Sequence, residues 1–450
     1  MAEIRFLPVI VLVVLLGLDG CATTYPLMPT PVLYTGAQAK PLFTDAATEV
    51  RTPPLDLLFI TDRAPASSPD EPEPYTADRS RAMAFGSTTV LFGEDMTWEA
   101  LVEESLLVKR TTPIDLKLGP TKELGRYPRI PYAVEVTSEG LTRAPTVVDA
   151  DEAATRELQA EIARRLALSP RKEMVLYIHG VKNTFSEAAL TMGEMCHFLG
   201  REFVCGIFSW PAGGKRGVLF GYEEDYESST FAVEHLRKAI RTIADTPGLE
   251  RIHILAHSRG TDVLATALSE LSFESYMQKT TLPRRVKLGN VVLLAPDLDV
   301  EVAPEKVLAI VSDPDVPYGA TADPHAVFRA LDPFHLTIYV SPDDKALATS
   351  SWLFGSLARL GRVDTASLTP EQIELASRLG FLDVIQVRGT TDLFGHGYFV
   401  SNPSASADLI AMIRYGLKPN EPGRPLEEIK RPFWRVLPQG GTKAGAGGAE

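Results

Sequence analysis

The sequence is poor in cysteine, in clustered basic charge and in long apolar runs, and each shortage excludes a class of protein. Only three of the 450 residues are cysteine, and none has neighbours typical of a metal-ligand cluster, so we expect no metal and no cofactor. The formal net charge is −13 and no block of Lys or Arg occurs, which argues against a nucleic-acid partner. No apolar run reaches the roughly 20 residues that span a bilayer. With 45% hydrophobic residues, the chain can still bury a large core.

An apolar run does occur near the N-terminus, from Phe6 to Leu16, and it ends shortly before Cys21. Its length suits the core of a secretory signal peptide. With the cysteine that follows, the segment resembles a bacterial lipoprotein signal, which implies cleavage before Cys21 and lipidation of its thiol. Ala22 after the cysteine then implies a lipid-anchored protein of the bacterial cell envelope, on the periplasmic face of the outer membrane. A plain signal peptide and an uncleaved anchor are the alternatives.

The two remaining cysteines, Cys196 and Cys205, fall in a predicted helix and in a buried-looking strand. An oxidising compartment would permit a disulfide between them. Free cysteine is among the most buried residue types, so the sequence favours two buried thiols over a disulfide.

Composition divides the chain into five segments. They are a signal peptide at 1–20, a lipidated cysteine with an extended, weakly ordered Pro/Thr-rich tether at 21–54, a strand-rich extension at 55–150, a catalytic domain at 151–418 and a disordered tail at 419–450.

The segment 151–418 alternates short apolar strands with amphipathic helices, which predicts an α/β fold with a mostly parallel sheet flanked by helices. In such sheets the chemistry collects at the carboxyl ends of the strands. The predicted strands are 174–178, 204–208, 252–255, 291–294, 336–340 and 384–387.

One strand, 252–255, runs into the turn Ala256-His257-Ser258-Arg259-Gly260 and then into a helical pattern. A serine nucleophile is presented at such a strand-to-helix turn, where the positions two before and two after it must be small. Ala256 and Gly260 meet this requirement. Ser258 is therefore the candidate nucleophile.

Eight histidines are present, and chain order selects among them for the general base. In this architecture the base follows the serine and the acid, and His257 should point away from its neighbour Ser258. His335 starts a strand, at the wrong end of the sheet. His396 follows the last core strand in a glycine-flanked loop, and we prefer it to His325, which lies in a long loop.

Three aspartates are candidates for the acid that orients the histidine. Asp343 and Asp344 follow the strand 336–340, and Asp297 follows the strand 291–294. We prefer Asp344, because the strand before the histidine loop usually supplies this acid. Aspartates after strands also commonly cap turns.

An oxyanion site is predicted where the strand 174–178 breaks into His179-Gly180-Val181. Such a turn lets the backbone N–H of Val181 converge with that of Arg259 on a substrate oxyanion. Gly180 could instead mark an ordinary tight turn.

Four segments together resemble a bacterial alpha/beta-hydrolase family of unknown function with esterase-like members: 178–185, 208–211, 255–260 and 295–297. The likeness extends over residues 55 to 415. It implies an alpha/beta-hydrolase fold, and a family pattern around Asp344 and a Gly-His-x-Tyr segment at His396 imply that these two residues serve with the serine. Arg259 departs from the Met common after the nucleophile.

We therefore expect a serine hydrolase that forms an acyl-enzyme on Ser258, with a small-molecule or lipid-like acyl ester as substrate and the membrane as a partner through its anchor. A lipase would need an apolar lid, for which 213–222 is the candidate, although we favour packing of this segment in the core, because aromatic and aliphatic clusters are usually buried. The alternative hypothesis is that the protein has the same fold but is catalytically inactive, and serves as a membrane-tethered binding or scaffold protein.

Overall fold

The computed structural model describes residues 24–37, 39–214, 217–306, 334–354, 358–389 and 395–438. The helices are α1 (Trp98–Leu106), α2 (Pro145–Leu168), α3 (Phe185–Phe198), α4 (Gly217–Ala244), α5 (Gly260–Met277), α6 (Leu282–Arg285), α7 (Lys345–Phe354), α8 (Pro370–Arg378), α9 (Tyr398–Ser401) and α10 (Pro403–Tyr415). The strands are β1 (Tyr25–Pro26), β2 (Leu55–Pro65), β3 (Tyr75–Phe92), β4 (Asp115–Arg126), β5 (Val134–Thr137), β6 (Gly140–Arg143), β7 (Glu173–Ile178), β8 (Val204–Ser209), β9 (Arg251–His257), β10 (Leu288–Leu294), β11 (His335–Val340), β12 (Leu382–Gln386), β13 (Leu426–Lys430) and β14 (Phe433–Val436).

One sheet of 12 strands organises the molecule, in the order β1-β4-β3-β2-β8-β7-β9-β10-β11-β12-β14-β13. From β2 to β14 in this order neighbouring strands run parallel, so their carboxyl ends meet at one edge. Strands such as β7 and β8 are mostly apolar because a separate hydrophobic core covers each face of the sheet. The predicted, mostly parallel α/β sheet is confirmed.

The N-terminal strand-rich region is continuous with this sheet. Strand β2 pairs in parallel with β8, and β3 and β4 extend the sheet with antiparallel pairs. The end of β2 therefore lies at the same sheet edge as the ends of β7, β8 and β9.

The expectation of a weakly ordered tether at 21–54 is wrong for the described part of that segment. Tyr25–Pro26 pairs with β4, and the side chains of Leu27, Leu33 and Tyr34 are buried in the core. The Tyr34 hydroxyl donates to the carbonyl of Phe198 at 2.5 Å. Proline-rich composition suggested an extended chain, but the apolar residues between the prolines pack against α3 and α10. Cys21 and the signal segment lie outside the described residues.

The expectation of disorder from 419 onward is also wrong as far as residue 438. Strand β14 lies beside β12, and Leu426, Phe433 and Trp434 are buried. The indole N–H of Trp434 donates to Asp383 at 2.7 Å. The Gly-rich end, 439–450, lies outside the described residues.

Cys196 and Cys205 form a disulfide, so the expectation of two free thiols is wrong. Helix α3 ends at Phe198 and β8 begins at Val204, and the short connection folds the end of the helix over the start of the strand. The two Cα atoms are 6.2 Å apart, which is within bridging distance.

Within the ranges given above, no helix has both the length and the apolar character needed to cross a membrane.

Candidate functional site

Ser258 occupies a sharp turn between β9 and α5, with a positive φ of 52°. Its N–H donates to the carbonyl of Leu294 at 2.9 Å, which ties the turn to the end of β10. A Cβ at Gly260 would lie 2.3 Å from the carbonyl oxygen of His179, and one at Gly180 would lie 2.7 Å from the Cβ of Ser258. Only glycine fits at these two positions, because the turn packs directly against the end of β7.

His396 and Asp344 come together at the same sheet edge. His396 Nδ1 is 2.7 Å from Asp344 Oδ2, and the aspartate is completely buried while the histidine side chain is 17% exposed. A carboxylate oxygen only accepts, so Nδ1 carries the proton and Nε2 is left as the basic nitrogen. The other oxygen, Asp344 Oδ1, accepts from the N–H of Leu347 at 2.9 Å and caps α7. Asp344 thus both caps a helix and orients a histidine.

The structure places the alternative candidates elsewhere. Asp343 is exposed, and among the described contacts it forms no hydrogen bond or ion pair with His396. Asp297 is buried near the end of β10, where its Oδ1 accepts from Ser350 Oγ at 3.0 Å and lies 3.3 Å from Arg359 Nε. His325 lies outside the described residues.

His257 connects the serine turn to the histidine loop. Its Nε2 donates to the backbone carbonyl of His396 at 3.2 Å, and the two imidazole rings are 4.6 Å apart between centroids. The ring of Phe399 packs on its other side at 5.0 Å. Desolvation by burial lowers the pKa of His257 well below its ordinary value, and the neighbouring His396 adds to this effect. A neutral His257, the residue before Ser258, therefore holds the backbone of His396 in place.

The two predicted oxyanion donors come from two neighbouring turns: Val181 follows β7, and Arg259 lies in the serine turn itself. Among the described residues, neither the N–H of Val181 nor that of Arg259 donates a hydrogen bond. Lys182, directly after Val181, has a positive φ of 61°, and this turns the backbone after the end of β7. Two unpaired N–H groups near a serine hydroxyl are the arrangement that stabilises a developing oxyanion.

The side chain of Arg259 packs away from solvent and is 4% exposed. Its guanidinium lies over the ring of Tyr226, 4.5 Å from the centroid, and Nη1 donates to the carbonyl of Asp297 at 3.3 Å. Where the resemblance implied Met after the nucleophile, this chain has an arginine that joins α4 to the loop after β10.

Sequence reasoning missed Arg63, which comes from the end of β2 and is buried beneath the loops after β7 and β8. It donates to the carbonyls of Asn183 and Ala212 and to the hydroxyl of Ser209, at 2.7, 2.8 and 2.8 Å. Desolvation by burial lowers its pKa to about 10. The resemblance to the family extended over the segment that contains Arg63, so the sequence offered a signal for this residue. The contacts of Arg63, however, depend on the order of strands in the sheet.

His179 joins the same two loops. Its Nδ1 lies 2.8 Å from the Gly180 carbonyl, which only accepts, so Nδ1 carries the proton and Nε2 accepts from the backbone N–H of Trp210 at 3.1 Å. The indole N–H of Trp210 donates back to the His179 carbonyl at 2.8 Å. Burial lowers the pKa of His179 to about 3, with Arg63 as the next cause, so the imidazole remains neutral and has a structural role.

Asp225, on α4, is the other residue that the sequence did not reveal. Its carboxylate accepts from the N–H of Lys182 at 2.8 Å and from that of Gly213 at 3.1 Å. Burial raises its pKa above the ordinary value, and these hydrogen bonds oppose that rise. A lone aspartate in a helix carries no motif, so only the fold could reveal it.

In the part of the chain that the structure describes, no group of three His, Cys, Asp or Glu side chains could hold a metal ion. Within the lid candidate at 213–222, residues 215–216 and the side chains of 217–222 lie outside the described structure. Residues 390–394, before His396, lie outside it as well.

A family model described as "Alpha/beta hydrolase of unknown function (DUF900)" matches residues 154–413. The chain belongs to this family. The match spans the strands that carry Ser258, Asp344 and His396, and it ends within α10.

A solved structure similar to this alpha/beta hydrolase is the carboxylesterase CesB (YbfK) from Bacillus subtilis, with 11% sequence identity and a TM-score of 0.24. The match covers 59% of this chain and 99% of that chain. Among curated proteins, none matches the chain. The family supports hydrolase activity and confirms the alpha/beta-hydrolase fold.

Proposed function

We propose that this alpha/beta hydrolase is a serine hydrolase that cleaves carboxylic esters through an acyl-enzyme. The observation that carries the proposal is the pairing of a serine in a positive-φ turn with a histidine whose Nδ1 is bound by a buried aspartate at 2.7 Å. The three residues follow different strands whose carboxyl ends lie at one sheet edge, which supports a site of this chemistry there.

In the proposed reaction, His396 Nε2 takes the proton from the hydroxyl of Ser258 as its oxygen attacks the ester carbonyl. The negative charge then develops on the carbonyl oxygen, where the N–H groups of Val181 and Arg259 stabilise it. The tetrahedral intermediate collapses, and the alcohol leaves with the proton from His396. Water, activated by the same histidine, then hydrolyses the acyl-enzyme. Asp344 orients the imidazole and stabilises its positive charge.

Replacement of the nucleophile tests this proposal. We expect Ser258→Ala to lower kcat on p-nitrophenyl esters by at least roughly 10⁴-fold, since the residual rate comes from binding and the oxyanion site alone. A fluorophosphonate should label the wild-type chain once, at Ser258, as read by mass spectrometry of the labelled peptide.

Ser275→Ala is the matched control, because Ser275 is a buried serine on α5 whose hydroxyl only bonds the carbonyl of Leu271. It should be labelled and active like wild type. Folded wild-type protein that is neither labelled nor faster than Ser258→Ala would contradict the proposal and would favour a binding role. A panel of esters of graded acyl length then defines the substrate class.

We also propose that the protein is attached to the membrane of the cell envelope by a lipid on Cys21. The apolar run from Phe6 to Leu16 before this cysteine supports the proposal.

A further inference from the structure

Two loops at the carboxyl edge of the sheet determine where the Val181 N–H lies. The donor loop, residues 180–183, follows β7, and the adjacent loop, residues 210–213, follows β8. They approach closely, because a Cβ at Gly213 would lie 3.1 Å from the carbonyl oxygen of Lys182. Neither loop is a helix or a strand, so neither has a regular hydrogen-bond ladder to hold it.

Asp225 supplies acceptors to both loops. Its Oδ2 accepts from the N–H of Lys182 in the donor loop at 2.8 Å, and its Oδ1 accepts from the N–H of Gly213 in the adjacent loop at 3.1 Å. The residue is 1% exposed. The N–H that Asp225 holds belongs to the residue immediately after the oxyanion donor Val181.

Arg63 supplies donors to the same two loops. Its Nη2 donates to the carbonyl of Asn183 at 2.7 Å, and its Nη1 donates to the carbonyl of Ala212 at 2.8 Å. A carboxylate can only accept and a guanidinium can only donate, so each residue satisfies backbone groups that the other cannot. Together they brace both loops through opposite backbone groups.

We propose that Asp225 is a positioning residue that fixes the donor loop so that the Val181 N–H points at the substrate oxyanion, with Arg63 bracing the same loop through its carbonyl groups. The inference rests on the proposed function, because it assigns Asp225 a role in stabilising the oxyanion. Asp225 does not touch the substrate. It acts on the rate of acyl transfer through the backbone.

The substitution Asp225→Asn preserves size but replaces one accepting oxygen with a donating nitrogen, so one of the two loop N–H groups loses its acceptor. We expect kcat on p-nitrophenyl acetate to fall roughly tenfold, which is less than the 10²- to 10³-fold loss of a whole oxyanion donor. KM should stay within about twofold, because the charge on the oxygen develops only in the transition state. Asp151→Asn is the matched control, since Asp151 accepts from the hydroxyl of Tyr132 at 2.9 Å and from Lys238 of α4, and it bonds neither loop.

Amide hydrogen exchange gives a readout that does not depend on turnover. In Asp225→Asn, peptides that contain Lys182 and Gly213 should exchange faster than in wild type and in Asp151→Asn, while peptides from the core strands remain unchanged. If Asp225→Asn does not fold, Arg63→Lys tests the same brace, because a single ammonium cannot serve both carbonyls in the fork geometry of a guanidinium. For this variant too, we expect kcat to fall while KM stays within about twofold.

Unchanged exchange in the loop peptides would overturn the proposal, as would faster exchange with a wild-type kcat. A loss of kcat equal to that in Asp151→Asn would overturn it too. If wild type shows no Ser258-dependent turnover while Asp225→Asn still loosens the loop, the proposed function fails and the brace remains. The two failures are therefore distinguishable.

Discussion

Ser258 adopts a backbone conformation that residues other than glycine rarely take. A positive φ of this kind costs about 1–3 kcal/mol and persists only where the surroundings impose it. Here Gly260 and Gly180 allow the turn to pack against the end of β7, and the Ser258 N–H is bonded to the carbonyl of Leu294. The turn places the hydroxyl beside the start of α5, whose dipole favours negative charge.

The neighbouring His257 shows where residue-level prediction stops. Its position before the serine predicts only that its side chain points elsewhere. The structure shows that the ring packs between His396 and Phe399 and bonds the backbone of His396. This contact joins residues from distant parts of the chain, so no local pattern could reveal it.

Glu194 gives a pH-dependent prediction at the scale of one residue. It is buried on α3, where it accepts from the N–H of Met28 at 2.8 Å, and burial raises its pKa to about 8. The unfolded chain ionises at its ordinary pKa of 4.5, while the folded protein keeps the proton until about 8. Stability from this group is therefore full below 4.5 and is lost as the pH rises towards 8, by about 1.4 kcal/mol per pH unit.

The variant Glu194→Gln keeps an acceptor for Met28 but cannot ionise. We expect its Tm to fall less than that of wild type between pH 5 and 8, so that the variant is the more stable protein at pH 8. Differential scanning calorimetry across this range measures the effect, with Glu103→Gln on the exposed face of α1 as the control. Parallel Tm curves for wild type and Glu194→Gln would contradict the assignment.

At the level of elements, the strands and helices of 151–418 were predictable because their periodicity is strong. The six predicted strands correspond to β7 to β12. The two ends of the chain were not predictable in this way. Strand β13 has one buried residue, Leu426, followed by four exposed ones, a pattern that resembles a charged loop.

The C-terminal strands allow a direct test. Ending the chain at residue 418 removes β13 and β14 and leaves β12 as an unprotected edge. The lost side chains include Leu426, Phe433 and Trp434, each of which contributes roughly 1.5–3 kcal/mol of burial. The total is a large part of an ordinary stability of about 5–15 kcal/mol, so this chain should aggregate or melt at a far lower temperature.

A chain that ends at residue 438 keeps every described strand and is the control, with an expected Tm close to that of wild type. Thermal melts followed by circular dichroism compare the two. A cooperative transition at the wild-type temperature in the chain that ends at 418 would show that these strands contribute little.

For the whole molecule, the order of strands determines which residues meet. Ser258, Asp344 and His396 follow β9, β11 and β12, and the parallel sheet brings those carboxyl ends to one edge. Arg63 reaches the same edge because β2 pairs in parallel with β8. The strand-rich N-terminal region therefore belongs to the site as well as to the sheet.

The packing of the N-terminal segment also bears on attachment to a membrane. If Cys21 carries a lipid, the strand residue Tyr25 can lie no more than about 14 Å from it, since an extended chain spans about 3.3–3.6 Å per residue. The folded protein would then sit close to the bilayer instead of on a long tether. We expect an alkyne fatty acid to label the wild-type chain in bacteria and the membrane fraction to contain it.

Cys21→Ser should abolish both the labelling and the membrane association, whereas the double variant Cys196→Ser/Cys205→Ser should keep the label, because those cysteines form the disulfide. Labelling that survives Cys21→Ser would refute the proposed anchor.

The sequence by itself determined the alternating α/β architecture, the strand ends that carry Ser258, Asp344 and His396, and the small residues around the serine. It could do so because burial on both faces imposes apolar strands, and a tight strand-to-helix turn restricts residue size. The tertiary structure alone decided that Cys196 joins Cys205 and that residues 24–54 and 419–438 pack on the sheet. It also brought Arg63 and Asp225 beneath the loops of the site. These are contacts between residues far apart in the chain or unmarked by any motif, and only the packing of elements against one another determines them.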